Sequence, residues 1–342
     1  MNRVYFKNDY SEAATPEIIN YLQEIGQNHY DGYGCDEICA SAIQRIKNEL
    51  NNQDCDVHFL CGGTQANLVM LDHILRPYEA VAAVNTGHIN VHESGSIERT
   101  GHKVEALPSH NGKMSADDLE ELLKHRTDEH MVKIGAAYIS NSTEIGTVYT
   151  KAELASIYNV CQKYGIYLFI DGARLGVALT SSVCDYTMAD LTSLCDSFYI
   201  GATKNGGLLG EAVVIINDDL KESFRNSMKQ HGALLAKGFV IGAQFECLFK
   251  DGLYYRLATH SNEMALLLKK KLSEKGIEAC YESPTNQQFF KFSNETIERL
   301  SEQFMFELWN DGEKESVIRL VCSWATKEED IDQLIDFISK LN

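Results

Sequence analysis

Three short clusters of small, polar and charged residues each follow an apolar stretch of strand length. They are Gly62-Gly63-Thr64-Gln65, Asp171-Gly172-Ala173-Arg174 and Gly201-Ala202-Thr203-Lys204. In the first cluster, the glycines let backbone N–H groups approach an anion, and the helical pattern that follows adds the positive end of a helix dipole. In the second, a carboxylate can face a cation. In the third, a lysine amine can attack a carbonyl group.

Each cluster also has an ordinary structural interpretation. Glycine-rich turns are often only turns, Asp171 would cap a loop, and Lys204 would bind an anion or lie at the surface. Together, however, the clusters match a pyridine cofactor that carries a phosphate and an aldehyde. Such a cofactor needs a carboxylate at the ring nitrogen, an anion site and a lysine amine for the imine. Because an ordinary lysine is only about one part in a thousand neutral at pH 7, the site must also lower the pKa of Lys204.

The stretches before these clusters belong to a longer alternation of strand and helix patterns. This alternation predicts a mostly parallel sheet with helices on both faces. Since open parallel sheets bind ligands beyond the carboxyl ends of their strands, all three clusters fall where a site is expected. Helical patterns begin at residues 15–17 and cover residues 66–75 and 151–164. The predicted strands are 57–61, 80–84, 103–107, 134–139, 166–170, 197–200 and 212–216.

The pattern changes after about residue 217. Long helical patterns precede a βαβ-like tail that ends in a final helix at residues 327–341. We therefore predict a large domain over residues 1–249 and a smaller C-terminal α/β domain over residues 250–342, with the boundary beside a helix. The helical patterns are 218–230, 234–249 and 254–275, and the tail has strands at 277–281, 288–292 and 317–322 with a helix near 294–300.

The composition of the chain limits the kinds of molecule that it is expected to bind. The formal net charge of −18 over 342 residues argues against nucleic acid and anionic membranes as main partners. The N-terminus has no apolar run typical of a signal peptide, so we expect a cytoplasmic protein. The 10 cysteines are scattered, which predicts reduced thiols. Cys35 and Cys39 lack a second Cys/His pair, so no metal site is expected.

Seven short motifs, which follow one another along the chain in the family's order, resemble the threonine aldolase, or β-eliminating lyase, family of pyridoxal-phosphate enzymes. The resemblance covers nearly the whole chain, from residues 8–9 to the final helix. Residues 63–67, with Gly63 and Thr64, are similar to the family's phosphate turn. Asp171 and Arg174 resemble the aspartate at the ring nitrogen and an arginine that binds the substrate carboxylate. Lys204, 33 residues after the aspartate, resembles the Schiff-base lysine. The resemblance implies pyridoxal 5'-phosphate and the fold-type I architecture, a mixed, mostly parallel seven-stranded sheet.

The same resemblance gives expectations for further residues of the site. His88 is similar to the histidine that stacks on the pyridine ring, and Glu93 to an acidic residue that lines the same pocket. Arg319 resembles a second arginine at the substrate carboxylate, and Asn8 is expected near the substrate.

The resemblance also implies that the active site is shared between subunits. Tyr33 resembles a tyrosine lent by the neighbouring subunit, and Lys237 resembles a cation that reaches the phosphate from that neighbour. A homodimer or homotetramer is therefore expected.

Two positions depart from the family pattern. One branch has Asn-Thr-His where this chain has Ser142-Thr143-Glu144, so a histidine near the substrate hydroxyl is missing. Residues 36–37, Asp-Glu, replace the family's usual acidic-acidic-proline run after the glycine. These departures bear on the preferred substrate side chain more than on the cofactor.

The activity implied by the resemblance is cleavage of the Cα–Cβ bond of a β-hydroxy-α-amino acid, such as L-threonine or L-allo-threonine, to glycine and an aldehyde. His88, Glu93 and a water molecule are the alternatives for the base that removes the hydroxyl proton. Two other functions fit the residues. One is another fold-type I activity, an aminotransferase or β-elimination lyase, and the other is a non-enzymatic protein that binds a phosphorylated metabolite.

Overall fold

The structure, a computed structural model, describes residues 3–341. Its strands are β1 (Val4–Tyr5), β2 (Asp56–Leu60), β3 (Glu79–Val84), β4 (Val104–Leu107), β5 (Lys133–Ser140), β6 (Tyr167–Asp171), β7 (Ser197–Gly201), β8 (Glu211–Ile215), β9 (Gln287–Ser293), β10 (Phe304–Met305), β11 (Glu307–Asn310) and β12 (Glu315–Val321). Its helices are α1 (Pro16–Ile25), α2 (Glu37–Glu49), α3 (Gly63–Ile74), α4 (His88–Val91), α5 (Ala116–Lys124), α6 (Lys151–Tyr164), α7 (Leu175–Leu179), α8 (Phe224–Gln230), α9 (Phe239–Leu248), α10 (Leu253–Ser273), α11 (Asn294–Ser301) and α12 (Glu328–Leu341).

The central sheet has seven strands in the order β2-β8-β7-β6-β5-β3-β4. All of them run parallel except β8, which is antiparallel to both of its neighbours. Each of the seven strands predicted for this sheet is present, with both ends within one residue of the prediction. The predicted fold class, a mixed and mostly parallel sheet with flanking helices, is confirmed.

The burial of these strands explains why they could be predicted from the sequence. Every residue of β3, β7 and β8 is buried, because helices cover both faces of the sheet. One apolar core lies on each face. Local signals position the covering helices: α6 begins with a capping box between Thr150 and Glu153 and ends at Gly165, whose φ is +64°.

The C-terminal region differs from the predicted βαβ-like tail. Its main sheet is antiparallel, in the order β11-β12-β9. Residues 277–281, predicted as a strand, form only an isolated bridge between Ala279 and Phe290. The strand β11 was missed because it is an edge strand of only four residues, none of which is buried. The helical pattern at 218–230 is interrupted at Ser223, whose φ is +61°, so that α8 begins at residue 224.

The helix α10 connects the two parts of the molecule. Its first residues, Leu253 and Tyr254, pack in a core of the central sheet, whereas Ala265, Leu268 and Leu272 pack in the C-terminal core. The N-terminal segment also reaches that core, since β1 pairs with β10. The domain division at residues 249 and 250 stays a prediction. Within residues 3–341, no helix combines the length and apolar character needed to cross a membrane.

Candidate active site

A cleft of about 340 Å³ lies beyond the carboxyl ends of β5, β6 and β7. The three clusters predicted from the sequence meet there, as expected for an open parallel sheet. Its lining includes six predicted site residues, namely Gly63, Thr64, His88, Asp171, Arg174 and Lys204.

Asp171, the last residue of β6, is a buried carboxylate surrounded by donors. Its Oδ1 accepts from the Tyr199 hydroxyl at 2.5 Å and from the Ala173 backbone N–H at 2.9 Å. Its Oδ2 accepts from the Tyr138 hydroxyl at 2.6 Å and from Asn67 Nδ2 at 3.0 Å. Burial alone would raise the pKa of Asp171, but nearby His88 and these donors outweigh it and hold the pKa below its usual range. The floor of the cleft therefore carries a fixed negative charge.

His88, the first residue of α4, is oriented by a carboxylate behind it. Its Nδ1 lies 2.8 Å from Glu93 Oε1, which also accepts from Asn67 Nδ2 at 2.7 Å. The other carboxylate oxygen of Glu93 accepts from Ser96 Oγ at 2.7 Å. The Glu93 side chain is fully buried and lies outside the lining of the cleft. This geometry places the Nδ1 proton toward Glu93 and leaves Nε2 of His88 as the nitrogen that can face a ligand.

Lys204 lies in the turn after β7, with its Nζ 5.9 Å from the centre of the Tyr10 ring. Burial and the nearby Arg174 guanidinium lower its pKa, and the carboxylates of Asp9 and Asp171 oppose this effect only in part. A lowered lysine pKa is what imine chemistry at neutral pH requires.

The glycine turn, residues 62–64, can accept an anion. The helix α3 begins at Gly63 and is long enough to present free backbone N–H groups and a dipole. A Cβ on Gly63 would lie 2.8 Å from the Tyr199 hydroxyl, whereas a Cβ on Gly62 would meet no atom within 4 Å. The turn is thus packed on one side and open on the side of the cleft.

Arg174 is held by an aspartate from the N-terminal segment. Its Nε and Nη2 donate to the two oxygens of Asp9 at 2.7 and 2.9 Å. Asp9 also accepts from Asn286 Nδ2 at 2.9 Å. The Asp9 side chain has no exposed surface and that of Arg174 is 11% exposed, so this ion pair is buried. One carboxylate therefore links the central sheet to the segment that precedes β9.

Arg319 reaches the same region from the C-terminal sheet. Its Nη1 donates to Gln287 at 3.2 Å and its Nη2 to Glu307 at 3.1 Å, and its guanidinium lies 5.2 Å from the centre of the Trp309 ring. Its Nε is buried and has no partner. Burial and the neighbouring Arg174 lower the pKa of Arg319, since low solvent access and a nearby cation both disfavour its charge. An incoming carboxylate would relieve that repulsion.

Replacing Asp9 by asparagine is expected to lower the free energy of unfolding by about 3 kcal/mol at pH 7, because it leaves a buried guanidinium without its counter-ion. Arg174 and Lys204 hold the pKa of Asp9 below 3.8 despite burial. The stabilisation is therefore present above about pH 4 and is lost as the pH falls further. Urea unfolding at several pH values measures both effects. Asp117→Asn, at an exposed position, should change stability by less than about 0.5 kcal/mol, and an equal loss there would contradict the assignment.

Besides Glu93 and Arg319, three more predicted site residues lie outside the lining of the cleft, namely Asn8, Tyr33 and Lys237. Asn8 is buried and accepts from the Tyr10 backbone N–H at 3.1 Å, so it supports the tyrosine beside Lys204. Tyr33 is 44% exposed, and its N–H donates to the Ala236 carbonyl, next to exposed Lys237. The two residues expected from a neighbouring subunit thus lie together on one exposed surface.

Glu144 is a site residue that sequence reasoning noted only as a departure. It follows β5, lines the cleft and accepts from Ser140 Oγ at 2.7 Å and from the His88 backbone N–H at 3.0 Å. Its other oxygen is buried without a partner, and burial raises its pKa. The chain therefore has a carboxyl group where one branch of the family has a histidine.

Other polar residues of the site were given no role of their own from the sequence, although Asn67 lies in the motif that resembles the phosphate turn. They are single polar groups in apolar strands or helices, and that contrast with their neighbours was the available signal. They are Asn67, Tyr138, Tyr199 and Glu211.

Comparisons with known proteins agree with this geometry. A profile described as beta-eliminating lyase matches residues 6–295. The low specificity L-threonine aldolase of Pseudomonas sp. (strain NCIMB 10558) is 31% identical over 337 residues, covering 96% of this chain and 95% of that protein. The enzyme of the same name from Pseudomonas aeruginosa is 30% identical over 332 residues, with the same coverage. A solved structure of Leishmania major threonine aldolase is 45% identical and superposes with a TM-score of 0.97, covering 98% of this chain and 99% of that chain. These matches confirm the predicted family: the chain belongs to the beta-eliminating lyase family.

Proposed function

We propose that the protein is a pyridoxal-phosphate-dependent aldolase that cleaves β-hydroxy-α-amino acids to glycine and an aldehyde. L-Threonine and L-allo-threonine, which give acetaldehyde, are the simplest substrates. The observation that carries this proposal is the convergence of Asp171, Arg174 and Lys204 on one cleft. The relatives named threonine aldolase support it.

The residues of the cleft fit the cofactor. Asp171 is kept ionised by four donors and suits a protonated ring nitrogen. The glycine turn is open toward the cleft and suits a phosphate. Lys204 has the lowered pKa that capture of an aldehyde needs. His88 exposes part of its ring to the same space, which suits stacking on a planar ligand.

Bound pyridoxal phosphate supplies a ring that accepts electrons from the carbon left when the Cα–Cβ bond breaks. The protein's own groups do the rest. Arg174 and Arg319 would bind the substrate carboxylate and so orient the Cα–Cβ bond for cleavage. Nε2 of His88 or the free oxygen of Glu144 accepts the β-hydroxyl proton. Glu93 acts through His88, because its own oxygens are occupied behind the imidazole ring.

We further propose a cytoplasmic homodimer or homotetramer in which Tyr33 and Lys237 complete the active site of a neighbouring subunit. Their common exposed surface, away from the cleft of their own chain, supports this arrangement. Neither nucleic acid nor a membrane is a proposed partner.

Incubation of the purified protein with L-threonine, L-allo-threonine and D-threonine, each in the presence of pyridoxal phosphate, tests the proposed reaction. We expect glycine and acetaldehyde in equal amounts from at least one L-isomer. A keto acid formed without glycine or ammonia, and only when a second keto acid is added to accept the amino group, would instead indicate an aminotransferase. A keto acid formed together with ammonia would indicate β-elimination. A protein that stays colourless with the cofactor and forms no product would indicate a phosphometabolite-binding protein, and each of these results would overturn the proposal.

A further inference from the structure

Glu211 occupies a position that the proposed reaction does not use. It is the first residue of β8, and in the sheet it pairs with Leu60 of β2 on one side and with Gly201 of β7 on the other. The chain passes from Leu60 into the glycine turn and from Gly201 into the turn that carries Lys204. The register of β8 therefore places the Glu211 carboxyl group between the proposed anion site and the reactive amine.

The carboxyl group is buried and only half satisfied. Glu211 is 3% exposed and lines the cleft. Its Oε1 accepts from the Thr203 hydroxyl at 3.0 Å, and Thr203 in turn accepts from the Gly210 backbone N–H at 3.0 Å, so this oxygen is fixed in place. Its Oε2 is buried without a partner. Since buried polar atoms are nearly always hydrogen-bonded, the free oxygen indicates that a ligand completes the set.

The surroundings of Glu211 favour its neutral form. Burial raises its pKa to about 8, and the Asp171 carboxylate adds to this effect. Lys204 and the Thr203 hydroxyl oppose it. The other titratable groups close enough to interact electrostatically with Glu211 are Tyr199 of β7, Tyr254 of α10 and Cys61, which follows β2. Their own pKa values are raised, so all three are neutral at pH 7. At neutral pH, the group beside the glycine turn is a carboxylic acid, which can donate a hydrogen bond.

We propose that Glu211 binds the phosphate group held at the glycine turn by donating a hydrogen bond from its protonated Oε2. This rests on the proposed function, because it takes the phosphate of the cofactor as the anion. A neutral acid offers a donor to the phosphate without adding a second positive charge beside Lys204. Once ionised, the same group would repel the phosphate. Glu211 thus makes phosphate binding depend on pH in a range where the phosphate itself no longer titrates.

Equilibrium binding to the apoprotein tests this proposal without measuring turnover. Dissociation constants for pyridoxal phosphate and for pyridoxal, which lacks the phosphate, are measured by absorbance at pH 7 and pH 9. Both probes condense with the same lysine, so the ratio of their affinities isolates the phosphate contact. In the unchanged protein, we expect the preference for pyridoxal phosphate to fall about tenfold between these pH values, as one proton is lost near pH 8.

In Glu211→Gln, whose amide is neutral and keeps a donor, the preference for pyridoxal phosphate should be the same at both pH values within about twofold. Thr203→Val removes the donor to Oε1 and should move the loss of preference to higher pH, whereas Thr203→Ser should leave it in place. If Glu211→Gln does not fold, the pH dependence of the affinity ratio in the unchanged protein tests the proposed role of Glu211 by itself.

A preference that stays constant in the unchanged protein, or that falls equally in Glu211→Gln, would overturn the proposed role of Glu211. Either result could accompany full aldolase activity, and then the proposed function would stand. A protein that binds neither probe at any pH would instead overturn the proposed function and the role of Glu211 with it.

Discussion

Replacing Lys204 by alanine is expected to reduce threonine cleavage by more than about 10³-fold, because the only amine placed to condense with an aldehyde in the described cleft is removed. The same change should abolish the visible absorbance band of the cofactor joined to the protein. Both are measured with purified protein and added pyridoxal phosphate. Turnover that persists unchanged in this variant would show that Lys204 does not carry the reaction.

Lys124→Ala provides the control for loss of a lysine. Lys124 lies at the exposed end of α5 and makes only a weak contact with Glu120, at 3.6 Å. This variant should keep both the absorbance band and the rate of cleavage. A parallel loss in Lys124→Ala would mean that the assay reports protein quality instead of the proposed chemistry.

Replacing Asp171 by asparagine is expected to lower kcat by about 10²- to 10³-fold. A carboxylate about 4 Å from a pyridinium favours the protonated ring by roughly 4 kcal/mol at an effective dielectric constant near 20. Asparagine removes that charge, and its amide group also faces hydroxyls that now donate to the carboxylate. Steady-state kinetics with saturating L-threonine and cofactor measures the change.

Asp196→Asn is the matched control, because Asp196 is also a fully buried aspartate. It directly precedes β7, at the amino ends of the parallel strands and so at the opposite end of the sheet from the cleft. It accepts from the Leu168 backbone N–H at 2.7 Å and from Asn217 at 2.8 Å. This variant should lose stability while each folded molecule keeps its kcat. If Asp171→Asn retains more than about a third of the original kcat, the proposed charge effect is wrong, since it requires a far larger loss.

The central sheet and the positions of its chemical groups could be predicted because the relevant signals are local. A strand that is covered on both faces has a continuous apolar sequence, and the residue after it must lie at the carboxyl end of the strand, where ligands bind. Asp171 and Lys204 were found in this way. The glycine turn was found because two glycines stand between such a run and a helical pattern.

The surroundings of those groups depended on contacts between distant parts of the chain. The donors to Asp171 come from Asn67, Tyr138 and Tyr199, which are 104, 33 and 28 residues away. No local pattern encodes that meeting, because sheet order and register decide it. The position of Glu211 depends in the same way on the pairing of the antiparallel strand β8. The order of strands in the C-terminal sheet was predicted wrongly because its edge strand β11 is too short to show a clear alternation of apolar and polar residues.

The buried carboxylate of Asp9 has a consequence for protein synthesis. It joins Arg174 and Asn286, which are 165 and 277 residues further along the chain. Arg174 follows β6, and Asn286 lies in the final sixth of the sequence. Contacts across such separations form late, since the intervening chain must first be made and ordered. A chain still emerging from the ribosome can build much of the central sheet. The buried contact of Asp9 with both Arg174 and Asn286 is complete only when translation is almost finished.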